Sequence, residues 1–489
     1  TSTPSDHTAA AEVRAGVAGL VCDHGPATRP ERITMRNPMF VHDEALTDLI
    51  FNYCRWRLAL DPVPLDYGGS AVNESLAESL EGLMTAGGVD PAMVMEIFDK
   101  TLATAVVSCD SPKYLAFIPA APTKASLLFD MVVACSSLHG TSWLEAAGPV
   151  AAENQALKVL SELAGLPDGA GGCFVAGGSA GNLSGLMVAR DTAAFRMGDR
   201  APQRPVVAIS EEAHSSVGKA LHVLGVDALL VPCEDHRLTG HALRQALATD
   251  PRGDDVIAVV ATGGTTNAGI VDDLDGVADV AEERSLWFHV DGAYGAAALF
   301  GPSVRERFSG IERVDSFVVD PHKWLFAPFD CAALIYREPR LAKAVHSQDA
   351  SYLEVLHTDA PGEWNPSDYA YHLTRRARGM PLWFSLAVNG TDAYRDAVET
   401  VLQVTQDVAD LIEGAPNLEL VRRPELSVVL FRRTGWGKAE YEAWSDRLLA
   451  EQIGFVMHTT WEGEPVGRLA LLHPDTTLEL IAEILATTA

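Results

Sequence analysis

The chain has 489 residues, of which 47% are apolar, enough for a large buried core divided among two or three domains. Its 66 acidic and 37 basic residues give a net charge of −29. This charge repels nucleic-acid phosphates and anionic membrane surfaces, so neither is an expected partner. The seven cysteines lie far apart without a CxxC pair, so neither a disulfide framework nor a metal site is expected, and a reducing, cytoplasmic location fits best.

The N-terminal part of the chain, residues 1–106, is expected to be an arm followed by a helical segment. Residues 1 to about 35 are polar and interrupted by Pro and Gly, and they lack the basic start and apolar run of a signal peptide. Residues 43–60 and 75–105 then show helical periodicity with acidic starts. No stretch is apolar enough for us to expect a membrane-spanning helix.

A different pattern begins near residue 150, where a helix is followed by short apolar runs that alternate with helical stretches. Such alternation predicts an α/β fold with a mostly parallel sheet covered by helices. We expect seven strands in one sheet, beginning near residues 173, 205, 228, 256, 286, 316 and 332. The sequence therefore predicts a large domain over residues 107–380.

Residues 340–372 carry few regular signals, and loops of that length in compact domains are commonly functional or mobile. We interpret this segment as a candidate lid. A long helix is predicted over residues 373–388, LTRRARGMPLWFSLAV. Beyond Gly390, a helix, a strand near 426, a second helix and a strand near 467 predict a small α/β domain, which we place at residues 381–489.

Lys323 and Asp291 are the strongest candidates for chemistry. Lys323 lies in DPHKWL, directly after the apolar run SFVV, at the strand end where open α/β sheets bind ligands. A lysine among apolar neighbours can lose its proton and act as an amine nucleophile. Asp291 ends another strand, in HVDGAYG, beside small residues that let a flat ring approach. An anionic carboxylate there would keep the nitrogen of a pyridine ring protonated and make the ring an electron sink.

The segment CFVAGGSAGNLSGL is typical of a strand, a glycine turn and a helix, which places backbone N–H groups where a phosphate could bind. Gly178 and Ser179 are the expected contacts. The same segment matches G-x-S-x-G through Gly177, Ser179 and Gly181, the nucleophile elbow of α/β serine hydrolases. That alternative stays open, but it leaves HVDGAYG and DPHKW without a role.

Two further residues follow predicted strands. His214 comes shortly after PVVAIS and could stack on a ring face, and Thr266 comes shortly after VIAVVA. Each would be unremarkable alone, so their weight comes from the neighbouring motifs.

The motifs GGSAGNL, HSSVGKA, TGGTTNAGIVDDL, HVDGAYG and DPHKWL, in this order, resemble the group II pyridoxal-phosphate decarboxylases, the family of aromatic-L-amino-acid, histidine and glutamate decarboxylases. The resemblance runs from about Ser111 into the C-terminal domain. It implies fold type I of the pyridoxal 5'-phosphate enzymes, which is aspartate-aminotransferase-like. It also implies a homodimer with active sites at the interface, and decarboxylation of an L-amino acid to the amine and carbon dioxide.

The resemblance also implies roles for individual residues. Lys323 would hold the cofactor as a Schiff base, Asp291 would face the pyridine nitrogen, and His214 would stack on the ring. The other implied cofactor contacts are Ala293 beneath the ring, Thr266 beside it, and Gly178, Ser179, Asp320 and His322 at the phosphate. Asp320 departs from the family pattern, because the animal enzymes carry an asparagine there, and an extra carboxylate near a phosphate is unfavourable unless it is turned away or protonated.

The segments SPKYLAFIPA and TSWLEAAGP resemble the family's substrate-side segment and cofactor-flanking loop. They imply an aromatic or other apolar substrate side chain near the following residues: Tyr114, Phe117, Pro119 and Trp143. An acidic substrate would need an arginine, for which Arg375 and Arg376 are the candidates.

Tyr352, in DASYLEVL, falls where the family's mobile loop carries a tyrosine that protonates the product carbon. Relatives with phenylalanine at that position tend to be oxygen-consuming aldehyde synthases. Tyr352 therefore favours amine formation, and oxidative formation of an aldehyde is the alternative.

Overall fold

The computed structural model describes residues 37–65, 72–118, 121–348 and 363–489. The chain divides into two units, residues 1–53 and residues 54–489. In its described part, the first unit holds a short 3-10 helix, Pro38–Phe40, and the beginning of helix α1, Glu44–Leu58. The boundaries expected at residues 106 and 380 both lie inside the second unit and stay predictions.

Short helical pieces follow α1. They are α2, Val72–Leu80, α3, Pro91–Ile97, and one π-helical turn, Phe98–Leu102. The helical periodicity of residues 75–105 is interrupted because Gly82 and Gly88 adopt φ angles of 76° and 75°, which residues with a Cβ rarely adopt. Asp90 then begins α3 by accepting a hydrogen bond from the backbone N–H of Ala92.

The expected sheet is confirmed, and its seven strands in the described residues lie close to the predicted apolar runs. The strands are β1 (Gly171–Val175), β2 (Val206–Ser210), β3 (Asp227–Val231), β4 (Val256–Thr262), β5 (Trp287–Asp291), β6 (Ser316–Val319) and β7 (Ala332–Tyr336). They are ordered β1-β7-β6-β5-β4-β2-β3. Only β7 runs antiparallel to its neighbours, so β1 runs in the same direction as β6 and the other strands.

Helices cover both faces of this sheet. In chain order they are α4 (Lys124–Cys135), α5 (Trp143–Leu163), α6 (Gly178–Met197), α7 (Ser215–Leu224), α8 (Gly240–Thr249), α9 (Leu274–Arg284), α10 (Pro339–His346) and α11 (Met380–Glu413). One apolar cluster packs α6, α7 and α10 on one face, and a second packs α5, α8, α9 and α11 on the other. Every residue of β4, β5 and β6 is buried, as expected for parallel strands covered on both sides.

The predicted start of the long C-terminal helix is wrong, because α11 begins at Met380 rather than at residue 373. The segment before it is held in an irregular path: Arg376 forms a β-bridge with His139, and the backbone N–H of Gly379 donates to Glu153. A kink at Gly390, where φ is 79°, divides α11 into two straight parts.

The C-terminal part contains an antiparallel sheet of four strands among the described residues, ordered β10-β11-β9-β8. The predicted strands near 426 and 467 are β9 (Val428–Arg433) and β11 (Glu464–Ala470), whereas β8 (Leu418–Leu420) and β10 (Met457–Trp461) were not predicted. Two helices complete it, α12 (Lys438–Ala450) and α13 (Leu478–Ala486). No helix in the described ranges is long and apolar enough to cross a membrane.

Candidate active site

Polar side chains meet at the carboxyl edge of the large sheet. Thr262 ends β4 and Asp291 ends β5, and the two residues are paired in register. Asp320 follows the last residue of β6. The turn after β1 leads into α6 at the same edge, because β1 and β6 share a direction. The parallel strands thus bring together residues that are far apart in the sequence.

A cavity of about 370 Å³ opens at this edge, within the range of small-molecule sites. All nine residues expected to contact a cofactor line it: Gly178, Ser179, His214, Thr266, Asp291, Ala293, Asp320, His322 and Lys323. The catalytic candidates Lys323, His214 and Asp291 are therefore neighbours in space. Tyr352 lies outside the described residues.

Lys323 is engaged by one carboxylate. Its Nζ lies 2.9 Å from Oδ2 of Asp320, whose side chain is 2% exposed. The same oxygen accepts a hydrogen bond from the backbone N–H of Gly178 at 3.1 Å. The other oxygen of Asp320 is buried and has no hydrogen-bond partner in the described part of the chain. A carboxylate thus occupies the N-terminus of α6, where backbone N–H groups attract anions.

Gly178 lets the N-terminus of α6 approach the strand ends closely. A Cβ on this residue would lie 2.8 Å from the Cβ of Ala293 and 3.1 Å from Oδ2 of Asp320. Such contacts are closer than side chains tolerate, so a larger residue would push the helix away from the cavity.

The carboxylate of Asp291 is 5% exposed and held by two donors. The backbone N–H of Ala293 donates to Oδ1 at 3.1 Å, and the side-chain amide of Asn182 donates to Oδ2 at 2.8 Å. These two hydrogen bonds fix the orientation of the carboxylate, which faces the cavity.

His214 is placed as the N-cap of α7. Its Nδ1 accepts the backbone N–H of Ser216 at 3.2 Å and lies 2.9 Å from the Ser216 hydroxyl. These contacts hold the ring at the cavity wall, where it remains exposed.

His322 is held in a neutral form by its surroundings. Burial lowers the pKa of its imidazole, and the nearby carboxylate of Asp320 opposes this shift only in part. Its Nδ1 accepts the backbone N–H of Cys331 at 3.0 Å. The remaining ring nitrogen, Nε2, lies 3.6 Å from Oδ2 of Asp320.

Three of the residues expected to contact a substrate, Tyr114, Phe117 and Trp143, do not line this cavity. The ring of Tyr114 packs edge-on against Phe455 at 4.9 Å, and that of Phe117 lies 6.0 Å from the same ring. Trp143 begins α5, and its backbone N–H donates to Asn365. Pro119 lies outside the described residues. Their substrate contacts stay predictions.

The two arginines considered for an acidic substrate are engaged elsewhere. Arg375 is 1% exposed on its side chain and forms a buried ion pair with Glu153 at 2.6 Å. Arg376 pairs with Asp130 at 2.7 Å. The structure speaks against Arg375 as a partner of a substrate carboxylate, because its buried charge needs Glu153.

Several residues at the site were not anticipated from the sequence. Phe329, Asp330 and Tyr294 also line the cavity, and Phe329 is 55% exposed. Arg468, on β11, is buried and donates to the backbone carbonyls of Thr266 and Phe117 at 2.6 and 3.1 Å. The sequence feature that could have indicated a role for Arg468 is its position in an otherwise apolar strand, GRLALL.

The sequence is similar to known proteins over most of its length. Residues 85–434 match the family described as pyridoxal-dependent decarboxylase conserved domain. An aromatic-L-amino-acid decarboxylase of Bacillus atrophaeus is 30% identical over 450 residues, covering 90% of this chain and 92% of the relative. An L-2,4-diaminobutyrate decarboxylase of Rhizobium meliloti is 30% identical, covering 86% of each chain.

The structure is also similar to solved structures over 91% of this chain. The crystal structure of Oryza sativa TDC with PLP and tryptamine superposes with a TM-score of 0.80 at 25% identity, covering 91% of this chain and 96% of that chain. A crystal structure of mouse CSAD gives a TM-score of 0.81 at 22% identity, a likeness of fold.

Proposed function

The chain belongs to the pyridoxal-dependent decarboxylase family, and from this premise we propose that it decarboxylates an aromatic or other apolar L-amino acid to the amine and carbon dioxide. The enzyme is a lyase, and its cofactor is pyridoxal 5'-phosphate. Membership of this family removes the hydrolase alternative for Gly177, Ser179 and Gly181. The observation that carries the proposal is that Lys323, Asp291 and His214 line one cavity.

The cavity fits this cofactor on three counts. The N-terminus of α6 offers backbone N–H groups for a phosphate, and Gly178 leaves no side chain in the way. The Asp291 carboxylate is fixed by two donors and can pair with a protonated ring nitrogen. The hydroxyl of Thr262 lines the cavity and has no hydrogen-bond partner in the described residues. The carboxylate of Asp320, which accepts the backbone N–H of Gly178, opposes a phosphate at this helix terminus.

When bound, the cofactor supplies an electron sink for the electron pair that the departing carboxyl group leaves behind. The protein's own groups determine how well this works. We assign to Lys323 the covalent attachment of the cofactor, to Asp291 the charge that keeps the ring nitrogen protonated, and to His214 packing on the ring face. The buried position of Asp291 strengthens its electrostatic effect, because few water molecules screen the charge.

A proton must replace the lost carboxyl group at the α-carbon if the product is an amine. We assign this proton to the phenol of Tyr352, on the family resemblance of DASYLEVL. Without such a donor, oxidation to an aldehyde competes.

The preference for an aromatic or apolar side chain has three supports. The Bacillus atrophaeus relative is an aromatic-L-amino-acid decarboxylase, although the diaminobutyrate enzyme is equally similar. Arg375 and Arg376 are paired with carboxylates of this chain and are not available to an acidic substrate. The exposed ring of Phe329 at the cavity offers an apolar surface.

The reaction is tested with a panel of carboxyl-labelled L-amino acids and measurement of released carbon dioxide. We expect release from aromatic substrates at a kcat/KM at least tenfold above that for L-glutamate or L-2,4-diaminobutyrate, and no release from D-enantiomers. Release that is fastest from a charged substrate would contradict the proposed side-chain preference. The absence of release from every amino acid would contradict decarboxylation.

We also propose that the enzyme is a homodimer with its active sites at the interface. Exposed apolar side chains support this: Phe117, Leu128, Val132, Leu144, Phe329 and Tyr371 are each at least half exposed. Patches of this kind commonly mark protein interfaces. The double substitution Leu128→Glu with Val132→Glu should yield monomers in sedimentation experiments. Phe195→Glu, at the far end of α6, is the matched control, and a dimer that survives the double substitution would contradict this interface.

A cytoplasmic location also remains a proposal. Its support is that the six cysteines in the described residues are all free thiols, as expected in a reducing compartment.

A further inference from the structure

A side-chain amide lies directly behind the carboxylate that faces the cavity. Asn182, in the second turn of α6, is completely buried. Its Nδ2 donates to Oδ2 of Asp291 at 2.8 Å and to the hydroxyl of Ser216 at 3.1 Å. Its Oδ1 lies 3.0 Å from Nε2 of His289. One amide thus contacts both Asp291 and the residue that holds His214.

Hydrogen-bonding side chains form a row that extends from Asn182 through His289 and Ser316 to Trp287. The positions of the protons in this row follow from which groups can donate and which can accept. The indole N–H of Trp287 can only donate, and it donates to the hydroxyl of Ser316 at 2.9 Å. The same hydroxyl lies 2.7 Å from Nδ1 of His289, and on the other side of the ring Nε2 faces Oδ1 of Asn182, which can only accept. Burial lowers the pKa of His289 to about 4, so the ring is neutral near pH 7. Its single proton is therefore on Nε2, facing Oδ1 of Asn182.

This proton fixes the orientation of the Asn182 amide. If the amide were rotated by 180°, its NH₂ group would face the N–H of His289 and its oxygen would face the carboxylate of Asp291. Both contacts would be repulsive in a buried site, where unpaired polar groups are costly. The neutral imidazole therefore keeps an N–H donor directed at Asp291.

The same amide also determines the arrangement at His214. The hydroxyl of Ser216 accepts a hydrogen bond from Asn182 and lies 2.9 Å from Nδ1 of His214. Nδ1 accepts the backbone N–H of Ser216, so the N–H of the ring is on Nε2. Asn182 thus contacts the hydroxyl that lies against the imidazole.

We propose that Asn182 is a positioning residue for the cofactor site. Its amide fixes the carboxylate that faces the ring nitrogen and, through Ser216, the imidazole that faces the ring. The buried row of His289, Ser316 and Trp287 is connected to the cofactor site by the hydrogen bond between His289 and Asn182. This inference rests on the cofactor and on the proposed role of Asp291, and it is independent of the substrate.

The row is built into one strand and its neighbour. Trp287, His289 and Asp291 alternate along β5 and share one face of the sheet. Ser316, on β6, is paired with His289 in register. Gly185, on α6, makes room for the ring, because a Cβ there would lie 3.0 Å from Cε1 of His289. The His289 ring therefore has little room to move, which favours a fixed orientation of its hydrogen bonds.

Two variants test the proposal through the bound cofactor without substrate. Asn182→Asp keeps the size but replaces the N–H donor by a second carboxylate beside Asp291, so one of the two must take up a proton. We expect the pH dependence of the holoenzyme's visible absorbance to shift by about one unit or more, and cofactor dissociation to become at least about tenfold faster. Ser316→Ala removes only the hydroxyl that fixes the His289 proton, and it should change both readouts in the same direction, by about two- to threefold in the dissociation rate.

Ser184→Ala is the matched control, because Ser184 is buried on the same helix and its hydroxyl donates to the carbonyl of Ala180 instead. It should leave the spectrum and the dissociation rate unchanged. If Asn182→Asp does not fold, Ser316→Ala alone decides. Folded variants with the wild-type spectrum at every pH and the wild-type dissociation rate would overturn the proposal and leave these residues a packing role. Because both readouts need no turnover, a failure of decarboxylation would not be mistaken for a failure of this proposal.

Discussion

The Nζ of Lys323 lies 2.9 Å from Oδ2 of Asp320, and that oxygen also accepts the backbone N–H of Gly178 at 3.1 Å. One carboxylate therefore pairs with the candidate nucleophile and occupies the helix terminus expected to receive the cofactor phosphate. Both contacts oppose cofactor binding, the first because the lysine must leave this partner before it can bond to the cofactor, and the second because a carboxylate stands where backbone N–H groups would bind a phosphate.

Asp320→Asn should therefore bind pyridoxal 5'-phosphate more tightly, by about tenfold, which corresponds to about 1.4 kcal/mol. Affinity is measured by titrating apoenzyme with cofactor and following absorbance. Asp330→Asn is the matched control, because Asp330 also lines the cavity but is paired with Arg378. Weaker binding by Asp320→Asn would show that the carboxylate supports the cofactor.

Asp291→Asn should lower kcat by about 100- to 1,000-fold, because it removes the charge that holds the ring nitrogen protonated while keeping the size of the side chain. The absorbance of the bound cofactor should change at the same time, which separates loss of chemistry from loss of cofactor. A variant with near wild-type kcat would show that another group performs this role.

Tyr352→Phe should divert product from amine to aldehyde. In that reaction the carbon dioxide is still lost, but oxygen and water are consumed and ammonia and hydrogen peroxide are released with the aldehyde. Oxygen uptake and product analysis together measure the partition. An unchanged yield of amine without oxygen uptake would mean that another residue delivers the proton.

Three buried histidines predict loss of stability in mild acid. Burial lowers the pKa of His289 and His346 to about 4 and that of His372 to about 3. As pH falls below about 6.5 the unfolded chain takes up protons that the native state does not, so the free energy of unfolding decreases towards pH 4. Each histidine contributes at most about 1.4 kcal/mol per pH unit.

His346→Gln should reduce the slope of the free energy of unfolding against pH by the contribution of about one proton. Glutamine keeps an N–H donor for the carbonyl of Ser184 but does not titrate. Urea unfolding at pH 7, 6 and 5 measures the slope. His241→Gln, on the exposed surface of α8, is the control. An unchanged slope in His346→Gln would mean that His346 is already protonated in the native state at these pH values.

Much of the large sheet could be predicted, because each of its strands is a short apolar run bounded by helical segments. The irregular segment before α11 could not, since its path depends on the buried pair of Arg375 and Glu153, 222 residues apart in sequence. The strands β8 and β10 also escaped prediction, because LEL and MHTTW carry no continuous apolar signal.

The meeting of the candidate cofactor residues at one edge of the sheet was predictable for a related reason. Each follows a strand, and parallel strands end at one edge, so sequence order alone placed Lys323, Asp291 and Gly178 together. The proposed role of Asn182 was not predictable in this way, because its partners lie on a different helix, α7, and on strand β5. The alternation of Trp287, His289 and Asp291 in WFHVD was the available signal that these residues share a face.

Reduction of the holoenzyme with borohydride tests whether Lys323 holds the cofactor. Reduction makes the bond between cofactor and lysine permanent, and peptide mass spectrometry then locates the added mass. We predict the label on the peptide that contains Lys323, with about one equivalent per chain, and none in Lys323→Ala. A label on any other lysine, or a Lys323→Ala variant that retains the absorbance and activity of the wild type, would contradict the account.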